Sequence, residues 1–214
     1  MRKLLYAGVV GPLLFIAVFL IEGFTRPGYS QWRNFVSQLA TGEGGWLQVA
    51  NFLVFGLLLL AFALGLRQAL RGSRGSIGAP VLFALVAISI LAAGIFTTDP
   101  ALGYPPGQAT VQTTRGLIHG LAGLATFTIL PAAAFVTAWH FGAAPRARPW
   151  VVYSIAVGVV ILVCFALGIA ASDMDESGTW PNAPTGIIQR IAIIVGWTWI
   201  AMVAAHLIRS RPTT

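Results

Sequence analysis

The chain has 214 residues, of which 57% are hydrophobic and 9% charged, against about 25% charged in an ordinary soluble domain. A mean hydropathy of +0.82 means more apolar surface than a soluble fold of this size can hide, which excludes a cytosolic enzyme, a disordered tail and a fibrous protein and leaves an all-α integral membrane protein. The net charge of +7 would suggest nucleic acid in a soluble chain; in a membrane protein it reads as a topology signal instead.

A hydrocarbon core is crossed by about 20 apolar residues, and six runs qualify: 4–21, 46–66, 77–96, 117–139, 150–171 and 187–207. The first follows Met1-Arg2-Lys3 but is too long for the apolar region of a cleaved leader, and no small-residue cleavage site follows it, so it is expected to be a retained anchor. Pro12 interrupts it, as Pro131 interrupts span four, and a packing kink is the expected consequence. After span one, Arg26-Pro27-Gly28-Tyr29-Ser30 makes a turn. Ser30 can cap a helix over about 30–40, in which Trp32, Phe35, Val36 and Leu39 fall at i, i+3, i+4 and i+7. That pattern predicts a short amphipathic helix on the membrane surface or over the bundle mouth. Trp46 and Trp150 open spans and Trp139 closes one, at aromatic-belt positions.

After span three, Phe96-Thr97-Thr98-Asp99-Pro100 leads into a loop rich in proline that ends at Arg115. Asp99 at the membrane edge is costly unless paired, and Arg115, Arg190 and Arg26 are its expected partners, in that order. His119 lies one turn beyond Arg115 among Gly116, Gly120 and Gly123, a small-residue spacing that predicts close helix approach and a histidine facing the bundle. It is either an interhelical hydrogen-bonding group or a base or ligand. Cys164, the single cysteine, lies inside span five, so no intrachain disulfide and no paired-cysteine metal motif exists. Asp173, Asp175 and Glu176 read as a solvated acidic loop without calcium-loop spacing. Gln189-Arg190 opens span six, and an arginine at that depth wants a carboxylate or phosphate. His140 and His206, both near the inner ends of spans four and six, form a conceivable haem pair that nothing else in the sequence supports.

The loops give the orientation. The termini and the loops after spans two and four hold nine basic residues (Arg2, Lys3, Arg67, Arg71, Arg74, Arg146, Arg148, Arg209 and Arg211) and no acid. The other side holds Arg26, Arg33, Arg115 and Arg190 with all six acids. The positive-inside rule then predicts cytoplasmic termini, and the basic excess implies anionic lipid rather than nucleic acid as its partner. Twelve arginines to one lysine, with abundant alanine, suggest a GC-rich bacterial genome and so a bacterial plasma membrane. A weak threefold pattern runs through the three hairpins. Each outward span ends in an acid (Glu22, Asp99, Asp173), and Gln48, His119 and Gln189 recur 71 and 70 residues apart at the start of the inward spans.

The order of Arg26-Pro27-Gly28-Tyr29-Ser30, Gly45-Trp46, Phe96-Thr97-Thr98-Asp99-Pro100, His119 and Gln189-Arg190 resembles the prokaryotic "domain of unknown function 998" family of six-span membrane proteins over nearly the whole chain. The resemblance implies an integral membrane protein and supplies no reaction. From the residues, the expected function is an outer-face site that binds or processes a lipid or small amphiphile. Asp99 and His119 are its candidate catalytic pair, and Arg26, Tyr29, Arg115, Gln189 and Arg190 its candidate ligand-binding groups, without metal or cofactor. Arg26, Tyr29, Asp99, His119 and Arg190 are expected to meet around one cavity. The alternatives are a structural or assembly protein, a small transporter or channel, for which Asn51, Thr126, Thr128 and Ser154 are few and scattered, and a haem electron carrier.

Overall fold

A computed structural model describes residues 2–143 and 145–210; Arg211 and the side chain of Arg2, both counted with the basic termini, lie outside them. The described residues form six long helices, α1 (Arg2–Thr25), α2 (Trp46–Ala69), α3 (Gly78–Ile95), α4 (Thr114–Phe141), α5 (Arg148–Glu176) and α6 (Thr185–Arg209), and contain no strand. All six are long and apolar enough to cross a membrane. Each packs on the next in sequence, and α1 closes against α6, so three hairpins make a ring of neighbours.

Water does not drive helix association inside a bilayer; close packing and interhelical hydrogen bonds do. The centre is accordingly aromatic. Phe15, Phe55 and Trp197 interlock with ring centroids 5.1–6.1 Å apart, joining α1, α2 and α6. Trp199 stacks on Phe83 of α3 at 5.8 Å and donates its indole N–H to Ser154 of α5 at 3.0 Å. Leucines and isoleucines such as Leu57, Ile88, Leu117 and Leu167 point outward, as lipid-facing side chains should, and Trp46 and Trp139 project from helix ends.

The connections 26–45, 96–113 and 177–184 interlock at one end, the mouth. At the other end lie Arg67, Arg71, Arg74, Arg146, Arg148 and Arg209, all exposed. The predicted amphipathic helix is not formed. Residues 31–34 are turns, and Val36–Ala40 is a short 3-10 helix. Gln38 Oε1 accepts from Phe35 N at 2.8 Å, a donor that a helix would have turned to Gln31 O, and Asn34 Oδ1 accepts from Ser30 N at 2.8 Å. Val36 N donates to Gln189 Oε1 at 2.7 Å. Val36 and Leu39 are buried, so the segment plugs the mouth rather than lying on a surface. Its backbone sits directly on α6: a Cβ on Gly186 would lie 2.5 Å from Asn34 O and 2.6 Å from Gln31 O, which only glycine avoids.

The predicted acidic loop is also corrected. Helix α5 runs on to Glu176, and Asp175 is buried in its last turn. Acids are unfavourable at a helix C-terminus, but Arg33 offsets this with a bidentate pair, Nε to Oδ2 at 2.7 Å and Nη2 to Oδ1 at 2.9 Å. In the threefold pattern, Gln48 and His119 are buried and Gln189 is half-buried, whereas Asp173 is exposed and Asp175 takes the buried position.

Candidate functional site

The candidate residues fall into two groups with different surroundings. The first is the stapled plug. Arg190, on the first turns of α6, is 3% exposed. Its Nη1 donates to the carbonyls of Gln31 (2.8 Å), Asn34 (2.9 Å) and Gly186 (2.9 Å), and its Nη2 donates to the Tyr29 hydroxyl. The guanidinium carbon lies 5.4 Å from the centre of the Tyr29 ring. Tyr29 in turn donates to the carbonyls of Phe35 (3.0 Å) and Asn34 (3.2 Å). Burial pushes its hydroxyl up to about 12 against the opposing pull of Arg190. Arg26 pairs with Glu22 and donates to the carbonyls of Glu43 and of Gly44 (3.0 Å). Arginine suits this work because one planar head carries five donors and can satisfy several loop carbonyls at once.

The second group lines a cavity of about 890 Å³ beside the plug, between α4, α5 and α6. Asp99, His119 and Gln189 are in its wall; Arg26, Tyr29, Arg115 and Arg190 are not. The expected meeting of five residues around one cavity is therefore replaced by a division: the arginines and the phenol hold loops, while the carboxylate, imidazole and amide face the void. Arg115 is exposed and donates to the Ile95 carbonyl at 3.2 Å.

Asp99 has no arginine within salt-bridge distance among the described residues, contrary to the sequence expectation. The N-terminus of α4 takes the arginine's place. Thr113, the N-cap, donates its N–H to Asp99 Oδ2 and its hydroxyl to Oδ1, each at 2.7 Å, and accepts from Gly116 N at 3.1 Å. Free N–H groups and the helix dipole favour a carboxylate there. Gly116 makes room for it, since a Cβ would lie 1.9 Å from Asp99 Oδ2.

His119 is 7% exposed and faces the bundle, edge-on to Phe52 at 6.2 Å. Its Nδ1 lies 3.0 Å from Ala93 O and 2.9 Å from Phe96 O. Carbonyls only accept, so Nδ1 carries the proton and Nε2 of the neutral ring is an acceptor. No polar group among the described residues pairs with Nε2, which leaves it available to the cavity. Gly120 and Gly123, read from sequence as a close-packing surface, instead have nothing within 4 Å of an added Cβ. They hollow out the wall.

A family model for proteins of unknown function (DUF998) matches residues 9–206. The chain belongs to that family. No curated protein and no solved structure matches it. What this DUF998 protein does must therefore be argued from its own site.

Three features of the DUF998 site escaped sequence reasoning. Glu176 and Ser37 also line the cavity, and Thr113 is the group that orders Asp99. The N-cap pattern of Thr113 before Thr114-Arg115-Gly116 was a usable signal; nothing local marked Ser37 or Glu176 as lining the same cavity as His119. Of the polar residues weighed for a channel, Asn51 donates to Phe15 O of α1 at 3.2 Å, Ser154 accepts from Trp199 and Thr128 donates back to Leu124 O at 2.8 Å. His140 Nδ1 is engaged by Arg74 O at 2.8 Å, and His206 packs on Trp150 at 4.5 Å.

Proposed function

We propose that this DUF998 membrane protein binds a lipid or small amphiphile in the lateral cavity, with the polar head at Asp99, His119 and Gln189 and the chain along the apolar wall below. The observation that carries the reading is the cavity itself. Its volume of about 890 Å³ falls in the range of small-molecule sites, roughly 300–1,000 Å³. Its wall grades from Thr98, Asp99 and Thr113 at the mouth to Leu124, Phe127 and Phe165 deeper in. From Thr114 to Phe127 the helix rises about 20 Å at ~1.5 Å per residue, room for an extended chain. Exposed Leu117, Leu121 and Ile169 edge the cavity, so it opens sideways toward the surface a membrane would cover. His119 Nε2 accepts a hydrogen bond, or a proton, from a bound head, and Asp99 is the carboxylate that stabilises the resulting charge. The proposal places the termini in the cytoplasm of a bacterial cell and the mouth in the outer leaflet, on the strength of the basic end's arginines; labelling of a cysteine at position 71 from outside the cell would reverse that orientation.

The test is Gly120→Trp, whose Cβ enters open space in the cavity wall. Wild-type protein purified in mild detergent should carry an amphiphile detectable by native mass spectrometry, and the variant should not. Identical spectra from two equally folded proteins would refute the reading. The cavity would then be a packing void, and the interlocked plug would favour the alternative of a structural or assembly protein.

A further inference from the structure

We infer that the cavity selects a cationic head, an amine-bearing amphiphile, over an anionic one. The inference rests on the binding reading above and adds the charge of the ligand. The wall contains two carboxylates, Asp99 and Glu176, and neither lysine nor arginine. The ion pairs among the described residues are Arg26 with Glu22 and Arg33 with Asp175, so both wall carboxylates are without a cationic partner.

The arginines that could have neutralised them are committed elsewhere. Arg190 is held by three carbonyls and the Tyr29 hydroxyl, Arg26 by Glu22 and two carbonyls, Arg33 by Asp175, and Arg115 reaches the Ile95 carbonyl from the exposed side of α4. Moving Arg190, Arg26 or Arg33 to the cavity would orphan a buried carbonyl or a buried acid, and Arg115 projects from α4 outside the cavity wall. The charge left in the wall is therefore negative.

His119 supplies the second, independent observation. It is buried, it lines the cavity, and its one unpartnered polar atom is an acceptor. Asp99 uses one lone pair on each oxygen for Thr113 and keeps others, and Gln189 Oε1 has accepted only Val36 N. Three acceptors in one wall suit the three N–H donors of a primary ammonium group. A carboxylate or phosphate head would meet two like charges and no compensating cation.

The experiment uses the full-length protein in detergent and three twelve-carbon probes of equal chain length: dodecylamine, dodecanol and dodecanoate. Apparent affinities are read by native mass spectrometry titration, with Gly120→Trp defining binding outside the cavity. Dodecylamine should bind wild type at least about tenfold more tightly than dodecanoate, with dodecanol between them. Glu176→Gln, at the exposed rim, should narrow the ratio without disturbing the α4 cap, and Asp99→Asn should narrow it further. Dodecanoate binding as tightly as dodecylamine, with both lost in Gly120→Trp, would overturn the charge inference and leave the amphiphile site standing. No difference between wild type and Gly120→Trp for any probe would overturn both.

Discussion

Adding one methyl group at Gly116 and the same group at Gly120, four residues along α4, should have opposite effects. At Gly116 a Cβ would stand 1.9 Å from Asp99 Oδ2 and 2.2 Å from its Cγ, so the carboxylate must leave. It is the end of a short side chain and can swing away; the cost is not the clash but the two bonds to Thr113 that it abandons. Hydrogen bonds to a charged group are worth about 1.5–3 kcal/mol each, and the lower figure applies because Thr113 is exposed and water replaces part of the loss. Alanine returns about 1 kcal/mol of helix propensity. Gly116→Ala should therefore lose about 2 kcal/mol net, whereas Gly120→Ala meets open space and should gain up to ~1 kcal/mol. Thermal unfolding followed by tryptophan fluorescence in one detergent gives the order of melting temperatures. A cycle with Asp99→Ala isolates the cause, because without the carboxylate Gly116→Ala should cost nothing. If Gly116→Ala melted at or above wild type, or stayed as harmful in the Asp99→Ala background, the account of Asp99 as a helix-capping group would be wrong.

Arg190→Met would leave the Gln31 carbonyl without its donor and the Asn34 carbonyl with Tyr29 alone, and should cost about 2–4 kcal/mol, seen as rapid proteolysis within 26–45 under conditions in which wild type resists. Arg33→Gln or Asp175→Asn should cost about 2–3 kcal/mol, less than a fully enclosed pair because Arg33 keeps part of its head in water, and thermal melting of both should show the loss. Tyr29 keeps its proton to about pH 12 when folded and to about 10 when unfolded. The folded state then holds more protons between these values, so stability from this group is intact below pH 10 and falls as pH rises toward 12, by on the order of 2 kcal/mol. Absorbance at the phenolate band should show a late-titrating tyrosine that Tyr29→Phe removes, and the variant should lose less stability over that window.

The six spans were legible because twenty consecutive apolar residues leave few alternatives, and the family resemblance read from short motifs agrees with the match over residues 9–206. Errors arose where a polar side chain had a choice of partner. Trp32, Phe35, Val36 and Leu39 keep helical spacing, yet Asn34 and Gln38 bind the local backbone and Val36 N is drawn to Gln189, so the apolar side chains are buried without a helix. Asp99 was assigned an arginine because a cation is the obvious remedy for a charge near hydrocarbon; a helix N-terminus is a second remedy that sequence spacing alone does not rank. Arg33 reads in the sequence only as one of the basic residues of the outer side and Asp175 as part of a solvated loop, and their pairing across 142 positions leaves no local trace. The cavity was least legible of all, since a void depends on how far two helices diverge. Gly120 and Gly123 bordered it, but small residues mark a close approach and a hollow equally well.

The placement of charge at the mouth follows from what helices leave unsatisfied. A helix frees N–H groups in its first turn, and a loop folded away from water leaves carbonyls that need donors. A carboxylate can serve the first kind of group and an arginine the second. Asp99 therefore goes to the start of α4, and Arg26 and Arg190 go to the carbonyls of the plug. Once the backbone has claimed these groups, the charge left in the cavity wall is that of Asp99 and Glu176, with the Nε2 of His119 as a further acceptor. The donors in the wall, such as the Gln189 amide and the Ser37 hydroxyl, are neutral, so the charge that a ligand would meet there has a definite sign.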